Sequence, residues 1–368
     1  MFPAMNTIHD LPTPALLLDL DVLEANLRAM SERCRDLGVR LRPHVKTHKC
    51  VEIALGQREL GATGITVSTL HEARVFADAG FDDITWAFPI ILSRVSEAAE
   101  LAERIRFGVT VDSVAAIEAL ESTGAPFRVW LKVDAGYHRA GVAPDSADAM
   151  ELPTRIDASP NLEFAGLLSH SGNAYRAFSP GHIARIANQE RDVLNALSSK
   201  IAAGGTAVAD RSAGSTPSMA QVKNLDGITE VRPGNYALYD WTQVALSSCS
   251  LEQCAATVLA SVVSSHPTER RSVIDAGALA LSADPGPAHP PDGGLGVILD
   301  PDNRYPVRQN ATISSLSQEH GVVSGTYPVG SRLRIVPNHS CLAVACFDAF
   351  FVIRGEDVLD RWVVQRGR

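Results

Sequence analysis

The sequence predicts a parallel β/α barrel joined to a smaller all-β domain. Three observations predict it. About eight short apolar runs alternate with helical patterns between residues 20 and 245, and the helical period then vanishes from about residue 250. The length of 368 residues suits one barrel of ~250 residues plus a partner domain.

The first helix reads over residues 21–36, where Leu23, Leu27, Met30 and Cys34 recur at helical spacing, and the apolar run 39–41 follows it. Helical patterns at 51–60, 70–79, 90–105 and 113–122 alternate with the runs 64–67, 83–86, 107–111 and 127–133. Runs at 162–168, 207–209 and 229–232 complete the set. They read as buried strands of a parallel sheet closed into a barrel; an open doubly wound sheet is the competing architecture. Beyond residue 250, the runs 255–263, 272–274, 331–336, 343–346 and 350–353 are β-type and are separated by Gly, Pro and Asp clusters. Without helical crossovers they cannot be parallel neighbours, so this part reads as an all-β domain. Residues 284–296, dense in proline and glycine, read as a long loop.

Composition excludes several function classes. Hydrophobic content of 45% and charged content of 20% are those of a globular protein with a sizeable core. The net charge of −9 argues against a nucleic-acid partner, which would need a basic face. No apolar run reaches the length of a membrane span and residues 1–12 do not read as a secretory signal, so a cytoplasmic protein is expected. Six cysteines in so long a chain are too sparse for a disulfide framework.

Barrel active sites gather at the C-terminal ends of the strands, so polar residues just after each apolar run are the candidates. Arg42, Pro43, His44, Val45, Lys46, Thr47, His48 and Lys49 follow the first run. A lysine there can sit in a dry pocket as a Schiff-base amine, although a lone lysine is more often a surface residue. The run ending at Val133 leads to a glycine-rich turn containing Arg139, which can meet an anion, and Leu168 leads to His170 and Tyr175. Two loops have the composition of phosphate cradles: Gly214, Ser215 and Thr216 before Pro217, and Gly234 and Asn235 after Arg232 and Pro233. In the β-domain, His339 and Cys341 lie two residues apart, so on an extended segment both point the same way and one zinc ion can take both. Two ligands are too few for a structural zinc site and match an open one.

Together these segments resemble the D-serine dehydratase and D-threonine aldolase branch of the alanine-racemase-like, fold-type III pyridoxal-phosphate enzymes. The likeness runs from Thr13 and Pro14 through the 42–49 segment, Gly214–Pro217, Arg232–Tyr236 and Gln318–Gly321 to Pro337–Cys341. It implies a pyridoxal-phosphate-binding barrel over residues 20–245. A β-domain carrying the metal site would take in residues 1–19 and 246–368, and the protein would be a homodimer. The resemblance makes Lys46 the cofactor-bearing lysine, puts Gly214, Ser215, Thr216, Gly234 and Asn235 on the phosphate, Tyr175 on the pyridine nitrogen and His170 beside the ring. It also places Arg139 near the cofactor. Aldolase-like members resemble His-x-Asp at the metal and dehydratase-like members His-x-Cys. Cysteine therefore implies a zinc-dependent dehydratase of a D-3-hydroxy amino acid, a small-molecule substrate. A D-threonine-type aldolase using Mn2+ or Mg2+ is the nearest alternative, an amino-acid racemase the next. A non-catalytic pyridoxal-phosphate carrier would have no use for His339 and Cys341.

Overall fold

The computed structural model describes residues 6–286, 294–299 and 311–368. Of the proline- and glycine-rich stretch 284–296, residues 287–293 lie outside the described residues, as do residues 1–5 of the N-terminal segment. The chain divides into two compact units, one of residues 29–46, 53–234 and 367–368, the other of residues 1–28, 47–52 and 235–366.

In the first unit eight strands form one parallel sheet: Arg40–Leu41, Ile65–Val67, Asp83–Pro89, Arg106–Val111, Phe127–Lys132, Leu162–Leu168, Asp210–Ala213 and Glu230–Val231. The first strand pairs with the eighth, and an isolated parallel bridge from His44 to Thr66 joins the first to the second, so the sheet closes into a barrel. Strands such as Phe127–Lys132 are buried at every position, as a sheet covered on both faces requires. Helix starts are marked by side-chain caps: Thr69 accepts from Glu72 N, Ser113 from Ala116 N and Ser179 from His182 N. Pro180 then opens the long helix Pro180–Ala203.

The seventh strand corrects the sequence reading, which expected it at 207–209. It forms at Asp210–Ala213, because Asp210 and Ser212 are buried polar residues that an apolar-run criterion passes over. Arg128 donates to Asp210 Oδ2 at 2.6 Å and Ser212 Oγ donates to Glu230 Oε1 at 2.6 Å, so partners in the barrel offset their desolvation.

The second unit is built on one mixed sheet. Its centre is Ala15–Asp19, wholly buried, antiparallel to Ala256–His266 and parallel to Ala349–Arg354. Arg332–Val336 pairs with Ala256–His266 on one side and with Val297–Leu299 on the other. Leu11, Leu17, Leu259 and Ile353 pack in one apolar cluster against this sheet. Residues 343–346, expected as β, are instead part of or follow the short helix Ser340–Val344. No helix among the described residues is long and apolar enough to cross a membrane.

Candidate active site

In the barrel unit, Arg42, Pro43 and His44 lead from the first strand into a single 3-10 turn, Val45–Thr47, in which Lys46 is half-buried. The approach is pinned from two sides: Thr66 N donates to Pro43 O at 2.8 Å and His44 N donates to Pro233 O at 3.0 Å. The turn therefore starts at a fixed point at the C-terminal end of the sheet.

Positive charge gathers around this point. Burial, and then the charges of Lys46, Lys132, Arg139 and Arg232, hold the His170 imidazole well below its usual range and so neutral. His44 is depressed in the same way, by burial and then by Lys46, Arg232 and His170. Lys132, 5% exposed at the end of the fifth strand, is pushed down to about 7 by burial and then by Arg232 and Arg139. Burial lowers Arg232 to about 10, which leaves it charged at neutral pH, and it donates to Ser212 Oγ and Ser169 O. The Nδ1 of His44 and Oγ of Ser169 are buried without a hydrogen-bond partner among the described residues. An aromatic aldehyde carrying a phosphate fits this set: an amine for the aldehyde, cations for the phosphate, and neutral imidazoles that add no charge against the ring.

The loops shape the same region. Arg139, exposed, lies over the Tyr137 ring at 4.9 Å, and Tyr137 meets His170 edge-on with centroids 6.2 Å apart. Glycine is required at 172, since a Cβ there would stand 2.4 Å from the Tyr137 ring. Tyr175 follows, half-buried, in the 3-10 turn Gly172–Arg176. Gly214 takes a left-handed φ of 83°, and Ser215 caps the short helix Thr216–Gln221 with Pro217 in its first turn. The Gly214 N–H donates to Glu190 Oε2 at 3.2 Å, so this glycine contributes conformation and not a donor to an anion. Gly234 is buried at the end of the corresponding segment after the eighth strand.

In the second unit, the strand Arg332–Val336 runs through Pro337 and Asn338 to His339. The sequence reading placed His339 and Cys341 on an extended segment. His339 is extended, but it caps the helix Ser340–Val344, so Cys341 stands in a helical first turn and the two side chains meet across a strand-to-helix junction. That junction is held rigidly. Trp241 N donates to Pro337 O at 3.1 Å, Thr242 Oγ1 to Asn338 O at 2.7 Å, and Ser340 N to the buried carboxylate of Asp240 at 2.9 Å.

Asp284 Oδ2 lies 2.9 Å from His339 Nδ1 and fixes the imidazole, leaving the other ring nitrogen to its neighbour Cys341. Burial opposes charge on His339, yet Cys341, Asp284 and Asp240 together raise its pKa. Burial likewise opposes the thiolate, yet His339 and Thr47 lower the Cys341 pKa. Each group thus favours the charged form of the other, and a divalent metal fits beside the two. Among the described residues no three His, Cys, Asp or Glu side chains form a metal-binding cluster.

Asn235, expected on the phosphate, commits its side-chain amide elsewhere: to Asp240 Oδ2 at 2.7 Å, Ser340 Oγ at 3.0 Å and Cys341 Sγ at 3.8 Å. Glu319 and His320, within the Gln318–Gly321 segment that carries part of the resemblance, are exposed in the turn between Ile313–Leu316 and Gly321–Ser324. Sequence reasoning missed Lys132, Asp240 and Asp284. The first had a readable signal, a lysine closing the strand Phe127–Lys132, whose only other charged residue is Arg128; the two carboxylates had none.

The fold and these residues define a pyridoxal-phosphate enzyme built on a barrel with an added β-domain. Comparison with known proteins agrees. The alanine racemase N-terminal domain matches residues 18–240 and a serine dehydratase domain matches residues 255–353. The D-threo-3-hydroxyaspartate dehydratase of Delftia sp. (strain HT23) is 35% identical, with 97% of this chain and 98% of that protein covered. Its solved structure superposes with a TM-score of 0.94 at 34% identity over 99% of this chain and 100% of that one, and a cysteine-to-alanine variant of it has been solved in a metal-free form. D-serine dehydratase of Dictyostelium discoideum is 35% identical with 95% of each chain covered, and D-threonine aldolase of Arthrobacter sp. 30% identical with 96% and 92% covered. The chain belongs to the alanine-racemase-like family, in its branch of D-3-hydroxy amino acid dehydratases and aldolases, and is a pyridoxal-phosphate-dependent lyase.

Proposed function

We propose that this lyase is a zinc-dependent dehydratase of D-3-hydroxy amino acids, which removes the β-hydroxyl and the Cα proton to give a 2-oxo acid and ammonia. The observation that carries the reading is the His339–Cys341 pair: a thiolate and an imidazole steadied by Asp284 form a soft donor set, which favours zinc over magnesium or manganese. Relatives 35% identical that are named dehydratases support it.

When bound, pyridoxal phosphate supplies a sink for the electrons freed at Cα, and zinc a Lewis acid for the departing hydroxyl. Lys46 Nζ would be the amine that holds the cofactor and, when free, would take the proton from Cα. His170, kept neutral by burial, would pack without adding positive charge, and Tyr175 would meet the pyridine nitrogen. Ser215 and Thr216, with the backbone after Gly214 and Gly234, hold the phosphate, and Arg232 and Lys132 lend it positive charge. Arg139 lies near the cofactor. His339 and Cys341 hold the metal, and Asp284 keeps the imidazole in the ligating orientation. The reading is of a cytoplasmic homodimer acting on a small-molecule substrate.

The aldolase reading has a specific point in its favour, the 30% identity to a D-threonine aldolase. Incubation with D-threonine separates the two. Elimination yields 2-oxobutyrate and ammonia, and glycine with acetaldehyde in their place would overturn the dehydratase reading. Treatment with EDTA is expected to abolish ammonia release while the absorbance of the lysine-bound cofactor persists.

A further inference from the structure

We propose that Lys132 is an anion-binding residue that takes up a proton as an oxyanion enters the barrel unit, an inference that deepens the function proposed above and rests on it. Lys132 ends the fifth strand, Phe127–Lys132, which is buried at every position, and is itself 5% exposed. Among the described residues its amine makes neither a hydrogen bond nor an ion pair. An ammonium there has given up most of its water with no partner in exchange, which disfavours the charged form.

Two guanidinium groups and two carboxylates act on the amine. Arg232 follows the eighth strand, Arg139 lies in the loop after the fifth, Glu190 stands on the helix Pro180–Ala203 and Asp112 follows the fourth strand. His170, after the sixth strand, feels the Lys132 charge and is held neutral. Neither carboxylate is committed to the amine: Glu190 Oε2 accepts from Gly214 N at 3.2 Å and Asp112 Oδ2 from Gly141 N at 3.0 Å. Burial first, and then Arg232 and Arg139, push Lys132 down to about 7.

An oxyanion reverses this balance, because it brings both the hydrogen-bond acceptor and the negative charge that the amine lacks. The amine then becomes an ammonium with a proton drawn from the buffer, and no covalent bond forms. The empty site is spared a third buried cation, whereas the occupied site has it. Below pH 7 Lys132 holds its proton with or without the anion, so affinity is flat with respect to this group. Above pH 7 only the complex holds it, and affinity falls by about tenfold per pH unit. The phosphate of the cofactor and the carboxylate of the substrate share this chemistry, and the experiment separates them.

Full-length protein freed of cofactor is titrated at pH 8 with sulfate and, separately, with pyridoxal 5′-phosphate, and the holoenzyme is titrated with acetate. Each titration is run by calorimetry in two buffers of different ionisation enthalpy. Sulfate and acetate carry no titrating proton at this pH, so the buffer-dependent heat counts protons taken up by the protein. The expected result is about one proton more in wild type than in Lys132→Met. The difference falls in the sulfate and pyridoxal 5′-phosphate arms where the cofactor phosphate is the oxyanion, and in the acetate arm where the substrate carboxylate is. Lys132→Arg, charged throughout, is expected to bind without the extra proton and without the loss of affinity above pH 7. Equal uptake by wild type and Lys132→Met in every arm would assign the proton to another group, such as His44 or His170, and overturn the inference. Absence of uptake in wild type would overturn it too. Failure of the wild-type protein to bind pyridoxal 5′-phosphate at all would instead sink the proposed function.

Discussion

Removing the Asp284 carboxylate tests the metal site through a residue that does not ligate. Asp284 Oδ2 stands 2.9 Å from His339 Nδ1, and the His339 hydrogen bond is the main reason its carboxyl is held below the ordinary range. Asp284→Asn keeps an acceptor and loses the charge. A charge-assisted bond contributes ~1.5–3 kcal/mol and a neutral one roughly half of that, so the amide is expected to cost about 1 kcal/mol, near a fivefold loss in zinc affinity. Both side chains are about a third exposed, which puts the effect toward the low end. Asp284→Ala loses the bond outright and is expected to weaken zinc binding about 10- to 100-fold. Chelator competition measures the affinity, and the absorbance of the bound cofactor, expected unchanged, reports an intact barrel. Zinc bound by the alanine variant as tightly as by wild type would remove Asp284 from the role of orienting His339.

Lys46→Ala is expected to lose the absorbance of lysine-bound cofactor together with all ammonia release; a retained band would assign the attachment to another amine. Gly172→Ala drives a methyl to 2.4 Å from the Tyr137 ring and is expected to cost about 1–3 kcal/mol in denaturant unfolding, with Tyr137→Ala in the same chain relieving most of it. Lys132 titrates near 7 in the folded protein against an ordinary value of 10.5, because burial and two guanidinium groups disfavour its charge. Below pH 7 both folded and unfolded chains carry the proton and the burial penalty is full; between pH 7 and 10.5 only the unfolded chain keeps it, so the penalty fades as pH rises. Lys132→Met is thus expected to raise the melting temperature of cofactor-free protein most at pH 6–7 and least near pH 10, and a gain independent of pH would refute the argument.

Much of the molecule was legible before any coordinates. Barrel and β-domain follow from local period, because a parallel sheet writes short buried runs between helices and an antiparallel one does not. The candidate lysine, His170, Tyr175 and the His339–Cys341 pair could be singled out for a related reason: each lies within a few residues of the end of a strand, where barrel and sheet loops begin. Asp210–Ala213 was misplaced, since charged residues satisfied by distant partners have no apolar signature.

Tertiary structure alone decided the rest. That Asp284 steadies His339, that Asp240 holds Ser340, and that Thr47 meets a sulfur 294 positions away are pairings between residues whose spacing carries no period. The protonation states belong to the same category. Sequence named the lysines and histidines of the barrel unit, but only their assembly in one buried region, with four cations acting on His170, sets which of them are neutral. Local chemistry can be read along a chain, whereas desolvation and charge coupling depend on distances that exist only once it has folded.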